Sequence, residues 1–254
     1  MLTQKQKQMF YREGYVKLSG AVPQLMVERA RKAINHSIGE VGMHQEDLTK
    51  LRAQSYCNEL RSAPVMVDLF NKTPLFQIAE SLLGEGNALP CGGAQIALRF
   101  PGNPDADPGE PGGHLDGLGT GTNGIPKGEY RRGFTALVVI YLADVPEPYS
   151  GNFTVWPKSH LFFEEYFKRE GHGVLAKGMP KVELPEGPVQ MTGKAGDVVL
   201  AHNLLVHGAG PNGSANVRYA AIFRLRHVDC EQIGLDGYTD IWREWAGVRE
   251  AVGE

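Results

Sequence analysis

The sequence predicts a mainly β fold with flanking helices, and three observations predict it. From Ala94 onward, short apolar runs alternate with Gly- and Pro-rich turns at the spacing of antiparallel strands. Before that point, apolar residues recur at helical intervals. No regular strand–helix–strand alternation follows, so an antiparallel sandwich or barrel is expected rather than a parallel sheet. The 254 residues suffice for one domain with a sizeable core. Its expected parts are a helical stretch at about 1–90, a β core at about 94–228 and a C-terminal helical tail.

Taken in order, Thr3 and Gln6 form a capping-box pattern that opens a helix ending before Gly14. Tyr15 to Leu18 alternates like a strand. Pro23 starts a second helix, with Leu25, Met26, Ala30, Ala33 and Ile34 expected on its apolar face. Helical patterns follow at Glu46 to Arg52, Pro64 to Phe70 and Thr73 to Leu83, the last with a capping Thr and a terminating Gly84. The expected strands are Ala94 to Phe100, Gly113 to Asp116, Phe134 to Ala143, Asn152 to Trp156, Val189 to Thr192, Val198 to His202 and Arg218 to Val228. Two long connections interrupt them. Gly117 to Arg132 reads as a mobile lid, and Leu161 to Lys181 includes a short amphipathic helix. Trp242 and Trp245 stand at helical spacing in the tail.

Composition narrows the partners. A formal net charge of −3 leaves no basic footprint for nucleic acid or an acidic membrane surface, so a small-molecule substrate is the default. No apolar run approaches the roughly 20 residues of a membrane span. Cys57, Cys91 and Cys230 are odd in number and lack CxxC spacing, which speaks against a disulfide framework or a structural zinc site. The chain therefore reads as soluble, unprocessed and cytoplasmic. An exposed Trp242 or Trp245 would mark a contact between copies in a homo-oligomer.

The chemistry concentrates in two stretches. Gly196 to Leu225 reads as a hairpin-like unit, with His207 at the inner end of its first strand and Arg218 opening the second, eleven positions later. Upstream, Gly113-His114-Leu115-Asp116-Gly117 places an imidazole and a carboxylate on one face of an extended backbone. Two histidines and one carboxylate on one side of an octahedral ion leave three positions open, the facial arrangement of non-haem Fe(II) oxygenases. A bidentate 2-oxo acid and O2 would fill them, and Arg218 suits the far carboxylate because its planar fork bonds bidentately. A lone histidine is more often structural, and the chain has eight. The conjunction of HxD, distal His and following Arg raises the odds.

These motifs, with Ser150-Gly151-Asn152 and Trp156-Pro157-Lys158-Ser159-His160, resemble the phytanoyl-CoA dioxygenase family of Fe(II)- and 2-oxoglutarate-dependent oxygenases. The resemblance implies a double-stranded β-helix (jelly roll) core, Fe(II) ligands His114, Asp116 and His207, and Arg218 on 2-oxoglutarate. It also implies that Gln95, Arg99 and Thr135 help hold cosubstrate or substrate. The activity implied is hydroxylation of an unactivated C–H bond, with release of succinate and CO2. Desaturation, ring closure and epimerisation share that chemistry. Ala209 stands where many relatives carry Ser or Thr, so one cosubstrate hydrogen bond is expected to be either missing or supplied by Thr135. Lys158 replaces the usual glycine of the Pro-Gly-Ser-His turn, and the presence of Asp116 argues for oxygen rather than halogen transfer. His202 is read as structural, and Lys127, Arg131 and Arg132 as either a solvated face or an anion contact. A metalloenzyme without 2-oxoglutarate would not need Arg218, and a non-catalytic ligand-binding jelly roll would not need the triad.

Overall fold

Alternation of side chains across short strands builds two antiparallel sheets in the computed structural model, which describes residues 1–42, 56–103, 105–121 and 123–254. The strands are β1 (Tyr15–Leu18), β2 (Gln95–Arg99), β3 (Ala136–Tyr141), β4 (Phe153–Val155), β5 (Val189–Gln190), β6 (Val198–His202), β7 (His207–Ala209) and β8 (Arg218–Leu225). The larger sheet runs β1-β6-β3-β8-β2 and the smaller one β5-β4-β7. This is the jelly-roll arrangement, although among the described residues more lie in helices than in strands. The helical expectation at Glu46 to Arg52 lies outside the described residues.

The central strands of the larger sheet serve two cores, because successive side chains point to opposite faces. Val138 and Ile140 of β3, Leu200 of β6 and Phe223 of β8 meet the helices. Leu137, Val139, Val199 and Ala220 face the smaller sheet, where Phe153 and Val155 close over them. The helical cover comprises α1 (Gln4–Glu13), α2 (Gln24–Glu40), α3 (Pro64–Asn71), α4 (Pro74–Leu83), α5 (Ser159–Glu170), α6 (Cys230–Ile233) and α7 (Ala246–Val252). The Thr3–Gln6 capping box forms, and Gly14 ends α1 in the left-handed conformation with φ +82°.

Several expectations change. On α2 the buried stripe is Val27, Ala30, Ile34 and Ser37, whereas Leu25 is exposed. Leu25 lies two positions, about 200°, from Val27 and so faces away. Gly196 to Leu225 is not a hairpin: β3 lies between β6 and β8, pairing with both. His207 does not end β6 either. It opens β7 in the other sheet. Gly113 to Asp116 contributes a single bridge rather than a strand. Lys158 itself adopts φ +65°, the conformation its glycine counterpart would favour, so the turn survives the exchange.

Trp242 and Trp245 are buried, which removes them as exposed contacts between copies. Trp245 packs 4.8 Å from Phe10 and Trp242 stacks 4.6 Å from Tyr11, tying the tail to α1. The tail also supplies Glu244, buried against Arg132 in a two-point ion pair. Thr135 donates to the same carboxylate at 3.1 Å. Glu244 thereby joins the end of the Gly117–Arg132 loop to the approach to β3. Removing one partner of a buried pair strands the other charge, so Glu244→Ala should cost about 3–5 kcal/mol in denaturant unfolding. Arg132→Met combined with Glu244→Leu should recover much of it.

Beside this tail, burial pushes the His160 imidazole down to about 4, with only a hydrogen bond to the Tyr11 carbonyl opposing it. His202, wholly buried, is held well below its ordinary value by burial and then by His160. Both are neutral when folded but protonate at about 6.5 when unfolded. The stabilisation from His160 is complete above pH 6.5 and drains away as pH falls toward 4, by about 3 kcal/mol, and His202 adds a loss of the same sign. Unfolding free energy measured across that window should fall with acidity, and His160→Gln should flatten the slope.

Candidate metal centre

Two backbone hydrogen bonds bring the site together. His114 N donates to His207 O at 2.9 Å, and His207 N donates back to His114 O at 3.1 Å. This antiparallel bridge adds the HxD segment to the β7 edge of the smaller sheet. Residues paired in this way project to the same face, and the two rings stand 4.7 Å apart. Asp116, two residues beyond His114, joins them: its Oδ1 lies 3.4 Å from His114 Nε2 and its Oδ2 3.9 Å from His207 Nε2. One ligand atom from each residue falls within 4.8 Å of the others. Close backbone approach requires glycine at Gly208, where a Cβ would sit 2.1 Å from Gly112 O. Gly117 is needed likewise, with φ +88° and a Cβ position 2.1 Å from Arg131 O.

The electrostatics suit a cation. Burial pushes the Asp116 carboxyl up, but the hydrogen bond with His114 and the neighbouring His207 and Arg224 override it and hold the group well below the usual carboxylate range. Burial, then His114, lowers His207 to about 4. A neutral imidazole with a free Nε2 results, because Nδ1 donates to the Leu205 carbonyl at 2.9 Å. His114, with its side chain 53% exposed, forms the open side of the cluster.

The three residues line a cavity of about 150 Å³ whose other wall includes Arg218, from the opposite sheet. Arg218 is buried, and burial lowers its guanidinium to about 10. Nε donates to Gly151 O at 2.7 Å and Nη1 to Ala97 O at 2.9 Å. These bonds fix the fork, yet no carboxylate pairs with it among the described residues. The Ser150-Gly151-Asn152 motif explains the first bond. Asn152 ties the turn to the Glu147 and Met191 carbonyls. Gly151, at φ +73°, leaves room where a Cβ would sit 3.2 Å from Arg218 Cβ.

Gln95 lines the same cavity, and so does Ala209. Arg99 and Thr135 do not. Arg99, the strand partner of Arg218, lines a separate groove with Tyr56 and Asn212. Thr135 donates to Glu244 and accepts from His227 N at 2.9 Å, so it is not placed to replace the hydroxyl missing at Ala209. Of the basic residues in the following loop, Arg132 is consumed by Glu244. That loop doubles back on itself, with Gly119 N bonded to Glu129 O and Arg131 N to Gly117 O, both at 2.9 Å. His202 lies outside the cavity with both ring nitrogens bonded, to Ile241 O and Leu204 N.

Sequence reasoning missed Arg224. Its Nη2 lies 3.3 Å from Asp116 Oδ2 and its Nη1 donates to Gln95 at 3.0 Å. The signal was available, because positions 218 and 224 are an even number apart on one strand and share a face.

The family model described as Phytanoyl-CoA dioxygenase (PhyH) matches residues 10–220. The chain belongs to the phytanoyl-CoA dioxygenase family. It is accordingly an Fe(II)- and 2-oxoglutarate-dependent enzyme, an oxidoreductase whose cluster of two imidazoles and a carboxylate fits the metal. No curated protein sequence matches it. Among solved structures, it is similar to HygX from Streptomyces hygroscopicus with nickel and 2-oxoglutarate bound, at 17% identity over 90% of this chain and 88% of that one, TM-score 0.58. It is also similar to the epimerase SnoN in complex with Fe3+, alpha ketoglutarate and nogalamycin RO, at 18% identity over 88% and 82%, TM-score 0.56. The carbocyclase SnoK from nogalamycin biosynthesis matches at 20% identity over 88% and 83%, TM-score 0.52. At these identities the likeness is one of fold. No helix among the described residues is long and apolar enough to cross a membrane.

Proposed function

We propose that this family member hydroxylates a C–H bond of a small organic molecule, using Fe(II) held by His114, Asp116 and His207 and 2-oxoglutarate held by Arg218. The observation that carries this reading is the buried Arg218, without a carboxylate partner among the described residues, in the same cavity as the three metal-ligand candidates. A buried guanidinium is costly without an anion, and a cosubstrate carboxylate would fill that need. Bound there, Fe(II) and 2-oxoglutarate supply the oxidising chemistry, in which dioxygen is consumed and succinate and CO2 are released.

The protein's part is positional. Leu205 O holds His207 with Nε2 facing Asp116, and the Gly151 and Ala97 carbonyls aim the Arg218 fork into the cavity. Leu137, Val139, Phe153 and Ile222 wall it with hydrocarbon and exclude water from the reacting end. The solved structures with hygromycin B or nogalamycin RO bound favour an organic small molecule. The epimerase and carbocyclase among them place hydroxylation beside two alternative outcomes. The reading assigns the whole activity to one domain, acting in the cytoplasm.

Anaerobic titration of the Fe(II)-loaded protein with 2-oxoglutarate should raise the weak visible charge-transfer band of a chelated 2-oxo acid, and His114→Ala should abolish it. Iron binding with no band in the wild type would point instead to a metalloenzyme that works without 2-oxoglutarate. Arg218→Ala should keep iron while weakening 2-oxoglutarate by about 10- to 100-fold, the loss of a charge-assisted hydrogen-bonded pair. Lost iron with unchanged cosubstrate affinity would reverse the roles assigned here.

A further inference from the structure

Resting on that reading of the cavity, we infer that the primary substrate carries an anionic group, a carboxylate or phosphate, seated between Arg61 and Arg224 in a groove beside the metal cluster. The groove encloses about 350 Å³ and is lined by Arg61, Ser62, Cys91, Gly92, Gly93 and Arg224. Gln95 and Ile222 complete it, and these two with Arg224 also line the metal cavity, so the two spaces adjoin through shared walls. Among the described residues, two guanidinium groups line this groove and no carboxylate does.

The two cations differ in what holds them. Arg61 is exposed and forms no ion pair among the described residues. Arg224 spends one N–H on Gln95 and one on Asp116, which leaves three of the five donors of a guanidinium for a ligand. Its side chain is 45% exposed and lies over the Phe134 ring at 5.6 Å, so its position is set before any ligand arrives. Basic side chains on a convex face are usually only solvated. Here they line a concavity, and Gly92, where a Cβ would meet nothing within 4 Å, keeps its floor open. A molecule whose acidic group sits between the arginines extends past Gln95 toward Asp116 and His114.

The test uses the anaerobic protein loaded with Fe(II) and saturating 2-oxoglutarate, its charge-transfer band confirming the loaded state. Calorimetric titration compares phenyl phosphate with phenol and benzoate with benzamide. Both anions, or one of them, should bind at least about tenfold more tightly than the neutral partner, and the better anion names the group. Arg61→Met should remove that preference while leaving the band intact. Equal binding of anion and neutral partner, an unchanged preference in Arg61→Met, or bleaching of the band by the anion, which would place it on Arg218, would each overturn the inference. A protein that binds iron but never shows the band refutes the 2-oxoglutarate reading instead, and the same titrations without cosubstrate then read the groove directly.

Discussion

The pair of backbone hydrogen bonds between His114 and His207 is the constraint on which the site depends. It fastens a segment that belongs to no regular strand onto the edge of β7, and so brings two distant stretches of chain into one cluster of two imidazoles and a carboxylate. Side-chain direction follows from it, because an antiparallel pair puts its side chains on one face and a two-residue step returns Asp116 to that face. Gly112 to Gly117 and Gly208 are the local conditions for it. A side chain at Gly208 would occupy the space of a neighbouring carbonyl.

Around that bridge, the two-sided larger sheet does the rest. One face is sealed by helices, and the opposite face is partly hydrocarbon and partly site. β8 shows how economical this is: Ala221, Phe223 and Leu225 belong to the helical core, while Arg218, Ile222 and Arg224 line the cavity. Arg218 faces the His114–Asp116–His207 cluster from the sheet opposite His207, so the two halves of the cavity are held by different layers of the fold. Changing the spacing of the layers would separate them.

What was legible in the sequence was local. The capping box at Thr3, the Pro-initiated helices and β6 all follow from short-range rules and are present in the structure, as is the nearness of Asp116 to His114 that the HxD spacing implied. Pairing was not local. The apparent hairpin from β6 to β8 was mistaken because a turn-rich connection between two apolar runs does not disclose a third strand, β3, lying between them. Thr135 and Arg132 were misread for a related reason. Their partner, Glu244, lies more than 100 residues away in a tail whose polar residue sits among tryptophans.

The sequence by itself determined which residue types lie in the chain's chemical stretches and which of them share a face, because those properties depend only on the backbone period and on near neighbours. It therefore specified His114 with Asp116, the strand that carries Arg218, and a family whose members use iron and 2-oxoglutarate. Only the tertiary structure decided that His207 and Arg218 stand on opposite sheets, that Arg132 is spent on Glu244, and that Arg224 reaches Asp116. Those outcomes turn on strand order and long-range burial, in which each pairing depends on every other element already being in place.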